Sequence, residues 1–171
     1  MYDLSTWDLP DSVKTSQVYT PLEDIALAVL RLRLPDMSVY GEIPFAQSPA
    51  EIPHATFAVV RRTQGMGLWR GRESLLDFGN ITTHVFTKDP DGDAKGAIVS
   101  EAIREAFFAE AHDRTFFPGL GGIAHVRMDQ EPIRRTDWAT SAGPIQYADL
   151  PTGYWRYEAQ YALWVRPPLR S

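Results

Sequence analysis

No cysteine occurs among the 171 residues, and that absence removes whole classes of chemistry. Disulfide frameworks, thiolate zinc sites, iron–sulfur clusters and cysteine nucleophiles all need a residue the chain does not have. Long apolar runs are missing too, and none approaches the roughly 20 residues that a bilayer-spanning helix requires. Residues 1–10 hold two aspartates and no basic stretch, so no secretory signal is expected there. Basic residues are in deficit: 17 Lys and Arg stand against 22 Asp and Glu, for a net charge of −5. A domain that reads nucleic-acid sequence needs a cationic surplus to replace phosphate counterions, so this balance weighs against one. A weakly acidic surface does suit a protein past which DNA slides without sticking. A reducing cytoplasm, or a particle assembled there, is the expected location, with no membrane involved.

The signatures of catalysis are absent as well. The histidines His54, His84, His112 and His125 show no i, i+4 pairing and no His-Glu-x-x-His, the spacing that puts two imidazoles on one metal. His84 and His125 fall on predicted strands and could meet in space, but a hydrogen-bonded structural role suits them better. No Gly-x-Ser-x-Gly elbow and no Gly-Lys-Ser/Thr phosphate loop is present. Asp89-Pro90-Asp91-Gly92-Asp93 resembles the start of a calcium loop, which needs Gly at its sixth position and Glu at its twelfth. Ala94 and Ser100 stand there, so the cluster reads as the capped, acid-rich start of a helix. Gly65, Gly67 and Gly71 echo a dinucleotide fingerprint. They are expected to join two strands, however, where no helix N-terminus is available to hold a pyrophosphate. The sequence therefore predicts neither enzyme, metal nor cofactor.

What is present is the composition of an ordinary globular domain. The chain is 44% hydrophobic and 23% charged, with a mass of 19.3 kDa, and a chain of this size buries roughly 70% of its unfolded surface. Residues 1–20 are mixed and polar, broken by Pro10, and read as an extended N-terminal arm. Residues 21–166 form one domain, and 167–171 a C-terminal tail. Thr20 is the expected N-cap of a first helix, with Pro21 at its first position and Glu23 and Asp24 in its first turn. Leu22, Ile25, Ala26, Val29 and Leu30 follow at helical spacing, Arg31 and Arg33 close the last turn, and Pro35 stops it.

Strands are expected at 39–43, 55–63 and 75–87. The second is apolar on both faces at its centre, as a central strand should be. A second helix follows Asp91-Gly92-Asp93 and ends near Asp113, with Val99, Ala102, Ile103, Ala106, Phe107 and Glu110 on its buried face. Ala94, Ala97 and Ile98 lie alongside. A fourth strand opens at 123–128, with a possible continuation towards Trp138. The fifth, 155–165, alternates most clearly: Trp155, Tyr157, Ala159, Tyr161, Leu163 and Val165 face the core, and Arg156, Glu158 and Gln160 face out. The order α-β-β-β-α-β-β implies an α+β fold, a mixed and mostly antiparallel sheet with two main helices on one face.

Candidate contact surfaces follow from aromatic and arginine residues placed where the core does not need them. Trp69, with Arg70 and Arg72, sits on the glycine-rich hairpin. Trp138 and Tyr147 belong to the 136–151 segment, and Tyr154 and Trp164 fall on the outward phase of the last strand. Trp, Tyr and Arg are the residues that anchor protein interfaces. Stacking on single-stranded nucleic acid would use the Trp69 and Arg70 pair too, but the net charge favours a protein contact.

A Pro-Leu-Glu-Asp helix start is followed by the Pro49 to Pro53 loop and the strand Ala55-Thr56-Phe57-Ala58-Val59-Val60-Arg61-Arg62. Next come the glycine-rich hairpin, the strand end Thr83-His84-Val85-Phe86-Thr87, and a helix opening Asp93-Ala94-Lys95-Gly96-Ala97. Over residues 20–166 this pattern resembles the tail terminator proteins of long-tailed, siphovirus-type phages. The resemblance implies a virion protein forming a ring, usually hexameric, that caps the tail tube and ends its elongation. It implies a joint to the head, with the tail tube protein and a connector or stopper as partners and genomic DNA passing through the lumen. A closed ring of this kind needs two different patches per subunit. The Trp69 hairpin, the 136–151 segment and the N-terminal arm are the expected ones. A stopper or adaptor of the same neck, a small-molecule-binding α+β domain and a single-strand binding module are the alternatives.

Overall fold

The structure, a computed structural model, describes residues 8–14, 20–42, 56–63, 76–135 and 154–166. A one-turn helix α1, Asp11–Lys14, lies in the stretch expected to be an extended arm. The first long helix, α2, spans Leu22–Arg33. It is followed by β1 (Ser38–Tyr40), β2 (Thr56–Thr63) and β3 (Asp77–Lys88), then α3 (Gly92–Asp113), and finally β4 (Gly122–Arg135) and β5 (Tyr154–Arg166). The strands form one five-stranded sheet in the order β1-β2-β3-β5-β4. Among the described residues, β1 and β2 pair in parallel and the other three pairings are antiparallel. The α+β fold and element order expected from the sequence hold.

The topology explains the length of α3. Strands β3 and β4 both run antiparallel to β5, so they run parallel to each other with β5 inserted between them. A parallel return needs a crossover. Helix α3 supplies it, packing on β3, β5 and β4, while α2 covers β1, β2 and β3. The two helices make one layer. Between them and the sheet lies a core that includes Leu22, Ile25, Leu30, Ala58, Val60, Ile81, Ile103, Phe107, Tyr161 and Leu163. Burying each large apolar side chain stabilises the fold by about 1.5–3 kcal/mol.

The apolar stripe of α2 is as expected, with Leu22, Ile25, Ala26, Val29 and Leu30 fully buried. Its cap differs. Pro21, not Thr20, is the cap residue, at φ −53° and ψ 136°, and no side chain bonds the free amides. The Pro21 carbonyl instead accepts from the amide of Asp24 at 3.1 Å. The fixed φ of proline sets the entry without help, and Thr20 is left buried behind it.

Helix α3 is rotated from the expected face in its first half. Gly92, Gly96 and Ser100 lie against the sheet, and the seam then continues through Ile103, Ala106, Phe107 and Glu110. Ala94 and Ala97 are exposed, and Ile98 is 69% exposed. The reason is close approach. A Cβ at Gly96 would stand 2.6 Å from Tyr157 Cδ2, and one at Gly92 would collide with the Trp155 ring. The aromatic rings of β5 take the volume that larger helix residues would have filled. Tyr157 then donates to Asp93 Oδ1 at 2.7 Å and Trp155 Nε1 to Asp89 Oδ1 at 2.7 Å. The acidic run at the start of α3 thus receives β5, and no side chain caps the helix there.

Candidate functional site

Cross-strand register places a second set of side chains on the sheet face away from the helices. His84 lies opposite Glu158, Phe86 opposite Arg156, Thr82 opposite Gln160 and Phe78 opposite Trp164. On β2 the same face carries Phe57, Val59, Arg61 and Thr63, opposite Phe86, His84, Thr82 and Asn80. Strand β4 adds His125 opposite Trp164 and, beyond its bulges, Arg135 opposite Arg156.

The centre of this face is buried, while residues towards its edges such as His125 keep contact with water. Phe57, Val59 and Phe86 are fully buried, and His84 and Arg156 are each 3% exposed. The sequence placed Arg156, Glu158 and Gln160 outward, and they do point away from the helices. Alternation reports which residues share a face, not whether that face meets water.

The middle of the face is charged. Glu158 accepts from Arg135 at 2.8 Å, stands 3.6 Å from His84 Nδ1 and 3.9 Å from Arg156. Burial lowers the His84 pKa to about 4, helped by the charges of Arg156, Arg61 and Arg135 and opposed by Glu158. The imidazole is therefore neutral near pH 7. Burial works to raise the Glu158 carboxyl, but the Arg135 hydrogen bond and neighbouring charges outweigh it and hold the group ionised. With its pKa at about 4 the imidazole is a weak base at pH 7, and the carboxylate beside it is already engaged by Arg135.

Aromatic clusters flank this middle. At one end Phe57 stacks on Phe86 at 4.8 Å, and Tyr154 meets Phe57 edge-on at 6.4 Å with Lys88 over the Tyr154 ring. At the other, Trp164 packs against Phe78 at 4.6 Å and His125 at 4.9 Å, with the Arg127 guanidinium 5.7 Å from its ring. Tyr154 and Trp164, both named from the sequence, are thus placed at opposite ends of β5. Each is half-buried, not freely exposed. Trp69, Arg70, Arg72, Trp138 and Tyr147 lie outside the described residues. His84 and His125, which the sequence allowed to meet, do not: β5 separates their strands, and each faces a different β5 residue.

Across the helix face, an open groove of about 490 Å³ runs between α3 and β4, lined by Ala97, Glu101, Arg104, Met128, Glu131, Pro132 and Tyr157. Arg104 and Glu101 pair within it. No group of three or more His, Asp or Glu side chains able to hold a metal occurs among the described residues. No described helix is long and apolar enough to cross a membrane.

Reasoning from the sequence missed the His84, Arg156 and Glu158 cluster. The one available signal was parity: His84 falls on the phase of its strand opposite to Ile81 and Val85. Its partner could be found only through the strand register.

No family model and no curated protein matches the chain. Among solved structures, a protein whose designation states no function is similar over 87% of this chain and 90% of its own length, at 12% identity and a TM-score of 0.44. Likeness at that level carries no inference about function.

Proposed function

We propose that the chain is a structural subunit of a phage tail terminator ring. In this reading a ring, hexameric in the resembling family, caps the tail tube, ends its elongation and offers the joint to the head. It sits at the head-proximal end of the tail, contacts tube protein and a connector, and passes DNA without binding it specifically. The observation that carries the reading is the pair of aromatic clusters at the two ends of β5, around the half-buried Tyr154 and Trp164. Both combine aromatic rings with a cation, the composition of interface anchors. Ten residues of strand separate them, roughly 33 Å, which suits a head-to-tail ring with two distinct patches per subunit. The element order, which carries the sequence resemblance, supports the same reading.

The test is the mass of the purified chain, alone and with tail tube protein, followed by electron microscopy. Rings on tube ends are expected, and Trp164→Ala should weaken them at least tenfold. A chain that stays monomeric with tube ends present, and leaves tube length unchanged, would overturn the reading. Intact rings after replacing Trp69 and Arg70 by Ala would remove the hairpin from the contact. Infection without the gene separates the neck components: over-long or headless tails fit a terminator, and normal tails beside DNA-leaking heads fit a stopper. One observation favours a second reading. The α3–β4 groove has the volume of a small-molecule site, and a monomer that binds a ligand there would support it.

A further inference from the structure

Helix α3 is apolar on two sides. Gly96, Ile103, Ala106 and Phe107 pack inward, yet Ile98 is 69% and Phe108 38% exposed on its outer side. Between them lie Glu101 and Glu105, both exposed. Residues three and four apart are neighbours on a helix surface, so these four side chains form one stripe, about 15 Å long. The groove between α3 and β4 adjoins the stripe, because Glu101 lines both. A helix that is apolar outside as well as inside calls for a further layer over it.

The charge complement of this acidic, apolar stripe lies on the other side of the same molecule. At the Trp164 end of β5, on the sheet face away from the helices, His125, Arg127 and Arg166 are exposed. Leu76, just before β3 at that end, is 37% exposed. Arg127 is paired with Asp129 there and Glu101 with Arg104 on the stripe. Solvent-exposed pairs of this kind are worth little and can exchange partners at small cost. The Tyr154 end does not complement the Trp164 end, because Lys88 over the Tyr154 ring makes it cationic as well, and like charges repel across an interface.

We propose that the α3 stripe of one copy docks on the Trp164 end of the next copy. Glu101 and Glu105 face Arg127 and Arg166, while Ile98 and Phe108 cover the aromatic cluster. The occupant is a second copy because one chain carries both complementary surfaces. They lie on opposite sides of the sheet, so a copy cannot close the contact on itself, and repetition is head-to-tail. The pairing rests on the ring reading and names its contact.

The chain has no cysteine, so introduced thiols report alone in disulfide trapping. Ile98→Cys and His125→Cys are made singly and together in the full chain, oxidised mildly and run on non-reducing gels. Mixing the two single variants is expected to give at least tenfold more dimer than either alone, and the double variant a ladder of higher multimers. Glu105→Lys in the Ile98→Cys chain should lower the mixed dimer at least tenfold, as should Arg127→Glu in the His125→Cys chain. Circular dichroism of each variant guards against loss of fold. Single variants that link to themselves as readily as to each other would overturn the pairing, as would a mixed dimer indifferent to both charge reversals. Rings on tube ends without any mixed disulfide would overturn the pairing and leave the ring. A mixed disulfide from a chain that never caps a tube would uphold the pairing and overturn the tail assignment.

Discussion

The fully buried carboxylate of Glu110, near the end of α3, accepts two hydrogen bonds from Arg33 of α2, at 3.0 and 2.9 Å. The same guanidinium reaches Asp113 at 2.6 Å. One arginine therefore fastens the C-terminal ends of both long helices, where each helix leaves carbonyls unsatisfied and favours a cation. Arg33 keeps 27% of its side chain in water while Glu110 keeps none, so the two partners are unequal. Removing the arginine strands a buried charge; removing the carboxylate leaves a cation that water can still reach.

That asymmetry gives a prediction. Arg33→Ala should cost about 3 kcal/mol, and Glu110→Ala less, about 2 kcal/mol, with the double variant well short of their sum. Urea denaturation of the four proteins measures it. Additive losses would show that the contact does not couple the helices.

Stability should fall as the solution is acidified, and His84 should be a main cause. The unfolded chain takes up a proton on this residue near pH 6.5, and the folded chain resists until about pH 4. Between those values the unfolded state binds more protons, so stability is full above pH 6.5 and drains away as the pH drops towards 4. The lowered Glu158 pKa acts in the same direction at more acidic pH, its contribution being lost as the carboxylate protonates. The His84 share is about 3 kcal/mol across that window. His84→Gln, which cannot titrate, should flatten the slope between pH 6.5 and 4.5 in urea titrations. A variant as acid-sensitive as the parent would clear His84 of the role.

Much of this was legible in the chain and some was not, for physical reasons. Helix α2 and the core phase of β5 were readable because periodicity is local: Ile25, Val29 and Leu30 report their own face, as do Ala159, Tyr161 and Leu163. The buried state of Arg156 and its neighbours was not readable, because coverage of a second sheet face depends on packing far along the sequence. The rotation of α3 was hidden for another reason. Ile98 is the most hydrophobic residue of its turn and pulls the apparent stripe towards itself. Gly96, which makes the contact, contributes through the absence of a side chain. In the candidate site, the residue types were visible but their meeting was not, since His84 and Glu158 find each other through register.

Gly96 tests that account of α3. Alanine in its place gains about 1 kcal/mol of helix propensity, and at an exposed position that gain would stand. Here the new methyl would lie 2.6 and 2.8 Å from Tyr157 ring carbons and 3.1 Å from Thr87 Oγ1. Overpacking costs about 1–3 kcal/mol, so the expected net effect is a loss of about 1 kcal/mol, and of more for Gly96→Val. A Gly96→Ala variant more stable than the parent would mean that helix and sheet can separate at no cost.

The opposite end of α3 carries a strain that substitution should relieve. Arg114 follows the helix in the left-handed region, at φ 56° and ψ 39°, and its amide donates to the Glu110 carbonyl at 2.8 Å. This is the closing position that glycine fills most easily, because any Cβ there crowds the backbone. The Arg114 side chain is exposed, so little packing is lost with it. Arg114→Gly should therefore stabilise the protein by about 1 kcal/mol, raising the midpoint by roughly 2–4 °C. Arg114→Ala removes the same side chain and keeps the Cβ, so it should leave stability near the parent value. Scanning calorimetry of the two variants separates the causes. An equal gain in both would place the cost in the arginine side chain, and a gain confined to glycine places it in the backbone.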